Sequence, residues 1–190
     1  AAKRDHAFPS DSTPTVFIMS NPLKGPDPAL LKTGVSAITT DDIRWVYCHI
    51  KAICLLPNVL LRQKAVDAQS AEAILIREGQ ATEGAASNMF IVKDGVIKTP
   101  PKGPLLLPGI TRDLVLELAQ QNHIPHKETA IAESDLALAE EIWLTSSTKE
   151  MLAVTQLNGK PVGDGQPGPL WEQIYALYQD YKQRLRSGEV

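Results

Sequence analysis

Two dipeptides most constrain the fold of this chain: Asp94-Gly95 and Asn158-Gly159, each lying between two apolar runs. Asp-Gly and Asn-Gly readily adopt the left-handed backbone conformations that a two-residue turn between antiparallel strands requires. The segments MFIVKDGVIKT (89–99) and MLAVTQLNGKPVG (151–163) therefore predict two β-hairpins. At least part of the sheet is then antiparallel.

Other apolar patterns predict further strands and a smaller set of helices. Short or alternating apolar runs favour strands, whereas Val59, Leu60, Ala65 and Ala68 would share one face of a helix. The predicted strands cover 15–20, 34–40, 43–50, 71–78 and 141–147, and the predicted helices cover 57–69, 111–121, 133–140 and 170–185. Because strands outnumber helices and several are joined by hairpins, we expect a mixed α+β fold, barrel-like, with peripheral helices.

Composition limits the kinds of binding partner and the cellular compartment that we expect for this chain. A net charge of −3 gives no reason to expect nucleic acid or an anionic membrane as a partner. No apolar run reaches the roughly 18 residues of a membrane-spanning helix. Cys48 and Cys54 match neither a CxxC redox pair nor a zinc site, so we expect no metal and a reducing, cytoplasmic location. The chain starts without Met on charged, turn-like residues, and we expect it to be a fragment of a longer protein.

Lys51 interrupts an apolar run, DIRWVYCHIKAICLLPN (42–58), in which a strand is predicted. An ammonium is costly to bury, and lysine is among the residues least often fully buried. Two interpretations follow. Lys51 either extends its charged end to solvent, or burial leaves it as an uncharged amine that can attack a carbonyl group.

Glu83 lies in ATEGAASNMF (81–90), where small residues predict a turn between two core strands. A carboxylate in that position is costly to desolvate unless a cation lies nearby. Glu83 is therefore either an exposed turn residue or a buried group with a positively charged partner.

Two further segments are suited to binding phosphate. In LLLPGITRD (105–113) a glycine precedes the start of a helix, where backbone N–H groups are free and Thr111 adds a hydroxyl. In LTSSTKE (144–150) four successive hydroxyl residues, 145–148, lie at the end of a strand. Each is also compatible with an ordinary helix start or polar loop. Together with a buried amine and a lone carboxylate, however, they are the protein groups that a pyridoxal phosphate enzyme needs.

The segments DIRWVYCHIK, EAILIREGQATEGAASNMFIVKDG, LLPGITRD and EIWLTSSTKE resemble the class IV (fold-type IV) pyridoxal phosphate-dependent aminotransferases over nearly the whole chain. The resemblance implies pyridoxal 5'-phosphate as cofactor and a homodimer. It also implies that residues 27–190 form the large cofactor-binding domain, with a pseudo-barrel β core, and that residues 1–26 are the tail of a small N-terminal domain and a linker.

The resemblance also implies roles for individual residues. Lys51 would be the Schiff-base lysine and acid–base catalyst, and Glu83 would pair with the pyridinium nitrogen. Cofactor contacts would come from Leu107 against the ring and from Ile110, Thr111, Ser146 and Ser147 around the phosphate. Within the family, KRDHAFP (3–9) resembles the D-amino-acid aminotransferases, in which Arg4 and His6 would bind the substrate carboxylate.

The function that this resemblance implies is transamination between D-amino acids and 2-oxo acids, such as D-alanine with 2-oxoglutarate giving pyruvate and D-glutamate. The alternatives are a branched-chain aminotransferase or aminodeoxychorismate lyase of the same family, and an incomplete, non-catalytic chain. Two departures bear on this choice. The sequence lacks the family's phosphate-binding arginine and a tyrosine near the lysine, so we expect the chain alone to bind cofactor poorly. It also has Ala85, Ala86 and Ser87 where D-specific members often have a serine run.

Overall fold

The computed structural model of the chain describes residues 4–11 and 13–189. Within these residues the chain forms five helices and ten strands. The helices are α1 (Pro28–Thr33), α2 (Leu56–Asp67), α3 (Ile110–Gln121), α4 (Glu133–Leu136) and α5 (Pro169–Ser187). The strands are β1 (Val35–Asp41), β2 (Glu72–Arg77), β3 (Gln80–Gly84), β4 (Asn88–Lys93), β5 (Val96–Thr99), β6 (His126–Glu128), β7 (Ile131–Ala132), β8 (Glu141–Ser146), β9 (Glu150–Leu157) and β10 (Lys160–Pro161).

All described strands belong to one mixed sheet. Its order is β6-β5-β4-β8-β9-β1-β2-β3-β7, with β10 paired to β9, and the sheet curls into half a barrel. Most neighbouring strands are antiparallel, while β1 runs parallel to both β2 and β9. This architecture confirms the predicted mixed α+β fold with a barrel-like sheet and peripheral helices.

The centre of the sheet is buried on both faces. Along β4, Met89 and Ile91 belong to one apolar cluster, whereas Phe90 and Val92 belong to another, because successive side chains of a strand point to opposite faces. Trp143 of β8 packs beside Phe90, with 5.9 Å between ring centroids. Burial on both faces explains why these strands read as continuous apolar runs in the sequence.

The three longer helices pack on the face of the sheet opposite the cluster that contains Met89 and Ile91. Val115 of α3 and Trp171 and Ile174 of α5 pack in the cluster that contains Phe90. On another part of the sheet, Leu61 and Ala65 of α2 form a smaller cluster with β2 side chains. None of the helices in the described ranges is long and apolar enough to cross a membrane.

Three hairpins turn on a pair of residues with positive φ. Asp94-Gly95 and Asn158-Gly159 join β4 to β5 and β9 to β10, as predicted. A third pair, Glu78-Gly79, with φ of 51° and 72°, joins β2 to β3 and was not predicted. Consequently Glu83 lies within strand β3, not in the turn that its small neighbours suggested.

Two predicted strands and part of a helix are wrong. Residues 15–20 have no regular structure and are exposed. Residues 43–50 form an irregular loop in which Ile43, Trp45 and Tyr47 are about half exposed. The helix predicted over 133–140 is a single turn that ends at Leu136.

Candidate active site

A cavity of about 780 Å³ lies where several chain segments end at one edge of the sheet. Its walls come from the loop between β1 and α2, the first turns of α2, the end of β3 with the residues after it, the start of α3, and the end of β8. Seven residues predicted from the sequence to bind cofactor line this cavity: Lys51, Glu83, Leu107, Ile110, Thr111, Ser146 and Ser147. The fold thus brings together segments that are far apart in the sequence.

Glu83 is a buried charged group of the cavity wall, only 4% exposed. Its carboxylate accepts hydrogen bonds from Arg44 Nη1, from Asn88 Nδ2 at 3.0 Å, and from the Leu107 amide, which is shared between the two oxygens at 3.1 and 3.2 Å. The expectation of a cationic partner for a buried Glu83 is therefore met by Arg44. Sequence reasoning did not single out Arg44 or Asn88.

The protonation of Glu83 is set by two opposing effects. The pKa of its carboxyl is raised from 4.5 to about 7 on balance, chiefly by burial, since desolvation penalises the charged form. The Arg44 charge, the hydrogen bond from Arg44 and the Leu107 amide all act to lower that pKa. At neutral pH the carboxyl is thus poised between its protonated and ionised forms.

Lys51 lines the cavity but is exposed, which agrees with the interpretation that its charged end reaches solvent and contradicts the alternative that its amine is buried in a strand. The loop that contains it is fixed at a few points: the Cys48 amide donates to the Pro104 carbonyl at 2.7 Å, and Arg77 Nη2 donates to the Arg44 carbonyl at 2.6 Å. Ile50 and Ile53, two apolar neighbours of Lys51, are themselves at least half exposed. They cannot supply the low-dielectric surroundings that the sequence suggested.

The start of α3 contains the first of the two segments that the sequence predicts to bind phosphate. Gly109 precedes the helix, and no side chain caps its first amides. A Cβ atom at Gly109 would lie 2.2 Å from Asn88 Oδ1, so this position admits only glycine without displacing Asn88. Thr111 is buried at the cavity wall, whereas Ile110 is 81% exposed.

The end of β8 contains the second segment that the sequence predicts to bind phosphate. Ser146 is half-buried and its hydroxyl accepts the Lys149 amide at 3.2 Å, while Ser147 is exposed. The preceding residue, Thr145, is 1% exposed, and its Oγ1 has no hydrogen-bond partner among the described residues. A buried hydroxyl without a partner is costly, and a bound polar group would satisfy it.

Arg4 and His6, predicted to bind the substrate carboxylate, are not brought into this cavity. Both are exposed, and neither is among the described residues that line it. Their role is therefore not supported by the geometry of a single chain.

Comparison with known proteins gives one consistent family. The family model for amino-transferase class IV matches residues 1–157. The D-alanine aminotransferase of Bacillus licheniformis is 42% identical over 179 residues, which cover 94% of this chain and 63% of that protein. The chain thus spans less than two thirds of the length of this relative.

Solved structures agree in fold. The branched-chain amino acid aminotransferase of Escherichia coli matches with a TM-score of 0.68 at 31% identity, covering 78% of this chain and 52% of that one. The holo form of the branched-chain amino acid aminotransferase from Thermobaculum terrenum, described as its PLP form, matches with a TM-score of 0.74 at 25% identity. It covers 79% of this chain and 51% of that one.

Proposed function

We propose that this chain, which belongs to the class IV aminotransferases, forms the cofactor-binding part of a pyridoxal phosphate-dependent transaminase acting on D-amino acids and 2-oxo acids. The observation on which this rests is Glu83, a buried carboxylate that lines the same cavity as the amine of Lys51 and the start of α3. The D-specific assignment is supported by relatives named D-alanine aminotransferase at up to 43% identity.

The residues of the cavity fit the proposed cofactor. Glu83 binds three donors, from Arg44, Asn88 and Leu107, whereas a carboxylate can accept about four hydrogen bonds, so it retains capacity for a ring N–H. The first amides of α3 and the unpartnered Thr145 hydroxyl are available to phosphate oxygens. A primary amine on the same cavity is available to an aldehyde.

Pyridoxal phosphate, when bound, supplies an aldehyde that condenses with amines and a ring that withdraws electrons from the substrate's α-carbon. In this proposal Lys51 Nζ takes the proton from the α-carbon of the amino acid and returns it during the transfer. Glu83 keeps a proton on the ring nitrogen. Thr111, Ser146 and Ser147, with the amide of Ile110, hold the phosphate, and Leu107 packs against the ring. A positioned general base of this kind contributes roughly 10²–10⁴-fold to the rate.

We also propose that two copies of the chain associate and that Arg4 and His6 act on the partner's substrate. The residues 13–23 that follow them, and the loop that contains Lys51, expose large apolar side chains, which are typical of surfaces that bind protein. The most exposed are Val16, Phe17, Ile18 and Ile53, each at 78% or more. If the copies associate, light scattering will give twice the mass of one chain, and Ile53→Asp will reduce it.

The division into a tail at 1–26 and a large domain at 27–190 is part of the same proposal, as is a cytoplasmic location. The location is supported by two free cysteines, Cys48 and Cys54.

The second candidate is a branched-chain aminotransferase, favoured by solved structures of that activity at TM-scores of 0.68 and 0.74. The assay that separates the two supplies 2-oxoglutarate with either D-alanine or L-leucine to protein expressed with any upstream residues that its reading frame encodes. Turnover of D-alanine supports the first candidate, and turnover of L-leucine alone overturns it.

The role of Lys51 is tested by Lys51→Ala, with Lys127→Ala, an exposed lysine of β6, as control. We expect Lys51→Ala to abolish turnover and Lys127→Ala to preserve it. Borohydride reduction with pyridoxal phosphate, followed by peptide mapping, should place the label on Lys51. A label on another lysine, or a colourless wild-type protein after reconstitution, contradicts the proposal and favours a non-catalytic chain.

A further inference from the structure

Behind Glu83 lies a row of alternating charges that the transaminase proposal does not use. Arg77 contacts Asp42 at 3.3 Å, Asp42 binds Arg44, and Arg44 binds Glu83 at the cavity wall. These side chains are all at least 85% buried. A buried ion pair is costly to assemble, so such a row calls for a functional explanation.

Asp42 fixes the orientation of the Arg44 guanidinium. Its Oδ1 accepts Arg44 Nε at 2.9 Å and its Oδ2 accepts Arg44 Nη2 at 2.9 Å, which is the two-pronged geometry that arginine forms with a carboxylate. Arg44 Nη2 also donates to the Leu105 carbonyl at 3.1 Å. With these nitrogens occupied, Nη1 is the one directed to Glu83.

The groups around Glu83 have opposite effects on the pKa of its carboxyl. Burial raises the pKa of the Glu83 carboxyl, Arg44 lowers it, and Asp42 raises it. Burial would also raise the pKa of Asp42, but hydrogen bonds and the charge of Arg44 hold it below its ordinary value. The other ionisable groups nearby are Arg77 beside Asp42 and the buried Cys48 thiol, with Lys51, Cys54 and Arg62 on the cavity.

We propose that Arg44, clamped by Asp42, is a positioning residue that shifts Glu83 towards its ionised form and thereby directs the shared proton to the cofactor's ring nitrogen. The proposal rests on the transaminase function. A proton shared between a carboxylate and a pyridine nitrogen goes to the stronger base, and a cation beside the carboxylate weakens its basicity. Without Arg44, the proton would stay on Glu83 and the ring would be a poorer electron acceptor.

The first test needs no cofactor. The protonated-carboxyl infrared band of Glu83 is followed with pH in cofactor-free protein, and the spectrum of Glu83→Gln is subtracted to isolate it. Arg44→Gln should move the midpoint upward by roughly one to three pH units, the effect of removing a nearby opposite charge. Arg44→Lys should give a smaller shift, because an ammonium cannot bind Asp42 in a fork and reach Glu83 together. An unchanged midpoint overturns the proposal.

A matched control is Arg112→Lys. Arg112 is also fully buried and pairs with Glu128 at 2.6 Å, away from Glu83. Arg112→Lys should leave the pH midpoint of the Glu83 carboxyl band unchanged. If it shifted that midpoint as much as Arg44→Lys does, the effect would be one of general destabilisation. If Arg44→Gln does not fold, the comparison of Arg44→Lys with Arg112→Lys decides the question.

The second test uses the reconstituted protein and a double-mutant cycle. The pH midpoint of the cofactor's visible absorbance should differ between wild type and Arg44→Lys, yet be the same in Glu83→Gln with and without Arg44→Lys. A further shift in the Glu83→Gln background means that Arg44 does not act through Glu83. If the wild type binds no pyridoxal phosphate, the transaminase proposal fails, whereas the infrared titration still decides the role of Arg44.

Discussion

Glu83→Gln should change the pH dependence of stability. The pKa of Glu83 is raised from 4.5 to about 7 in the folded protein, chiefly by burial. The folded state therefore binds this proton more tightly than the unfolded state does, and the resulting stabilisation is complete below pH 4.5 and lost as pH rises through 7. At about 1.36 kcal/mol per pH unit, the shift of about 2.5 units corresponds to a loss of about 3 kcal/mol at most. Glutamine does not titrate and lacks this dependence.

The assay is urea unfolding of the cofactor-free wild type and Glu83→Gln at pH values from about 5 to 8. The free energy of unfolding of the variant minus that of the wild type should rise by up to about 3 kcal/mol across this range. Contributions from other ionisable groups largely cancel in the difference. Glu117→Gln, on the exposed side of α3, is the control and should give a flat difference. A flat difference for Glu83→Gln would refute the reasoning that burial governs this carboxyl.

Two further predictions concern the two segments proposed to bind phosphate. Gly109→Ala should destabilise the protein by about 1–3 kcal/mol in urea unfolding, because its Cβ would lie 2.2 Å from Asn88 Oδ1; Gly103→Ala, whose nearest atom lies 4.0 Å away, should be nearly neutral. Thr145→Val removes a buried hydroxyl without a partner among the described residues, so the cofactor-free protein should be unchanged or up to about 1 kcal/mol more stable. The same variant should weaken pyridoxal phosphate binding in an absorbance titration, and unaltered binding would exclude that hydroxyl from the phosphate site.

Local signals predicted much of the fold. The hairpins at Asp94-Gly95 and Asn158-Gly159 are correct because their turn residues favour positive φ on their own. The hairpin at Glu78-Gly79 has the same backbone geometry, with φ of 51° at Glu78, but glutamate gives no such signal. There the pairing of β2 with β3 imposes a conformation that the residue does not prefer.

The loop over 43–50 shows why an apolar pattern alone does not define a strand. Alternation predicts a strand only if one face is buried against a core, whereas Trp45 and Val46 are both about half exposed here. Instead of pairing with a neighbouring strand, the Cys48 amide of this loop donates a hydrogen bond to the Pro104 carbonyl. Nothing local to 43–50 encodes that contact, which joins segments distant in the sequence.

A site residue could be predicted from the sequence where its side-chain chemistry was unusual among its neighbours. Glu83 is unusual among small and apolar neighbours, and the structure buries it against a cation as its chemistry demands. Arg44 was missed because it lies 39 residues away and looks like any loop arginine. Its role is visible only once the fold brings the loop that follows β1 against β3.

Because Lys51 is exposed, the described residues provide by themselves only part of the proposed chemistry. Glu83 and Arg44 are buried by this chain's own strands and loops, so their electrostatic effect on a ring nitrogen is already built into the fold. Lys51 has no such surroundings. Any desolvation of its amine must come from what binds over the cavity, whether a ligand or a second copy of the chain. It follows that Arg44 and Glu83 variants should alter a bound cofactor's spectrum even in a preparation that is slow in turnover, whereas Lys51 needs the covered cavity to act at full rate.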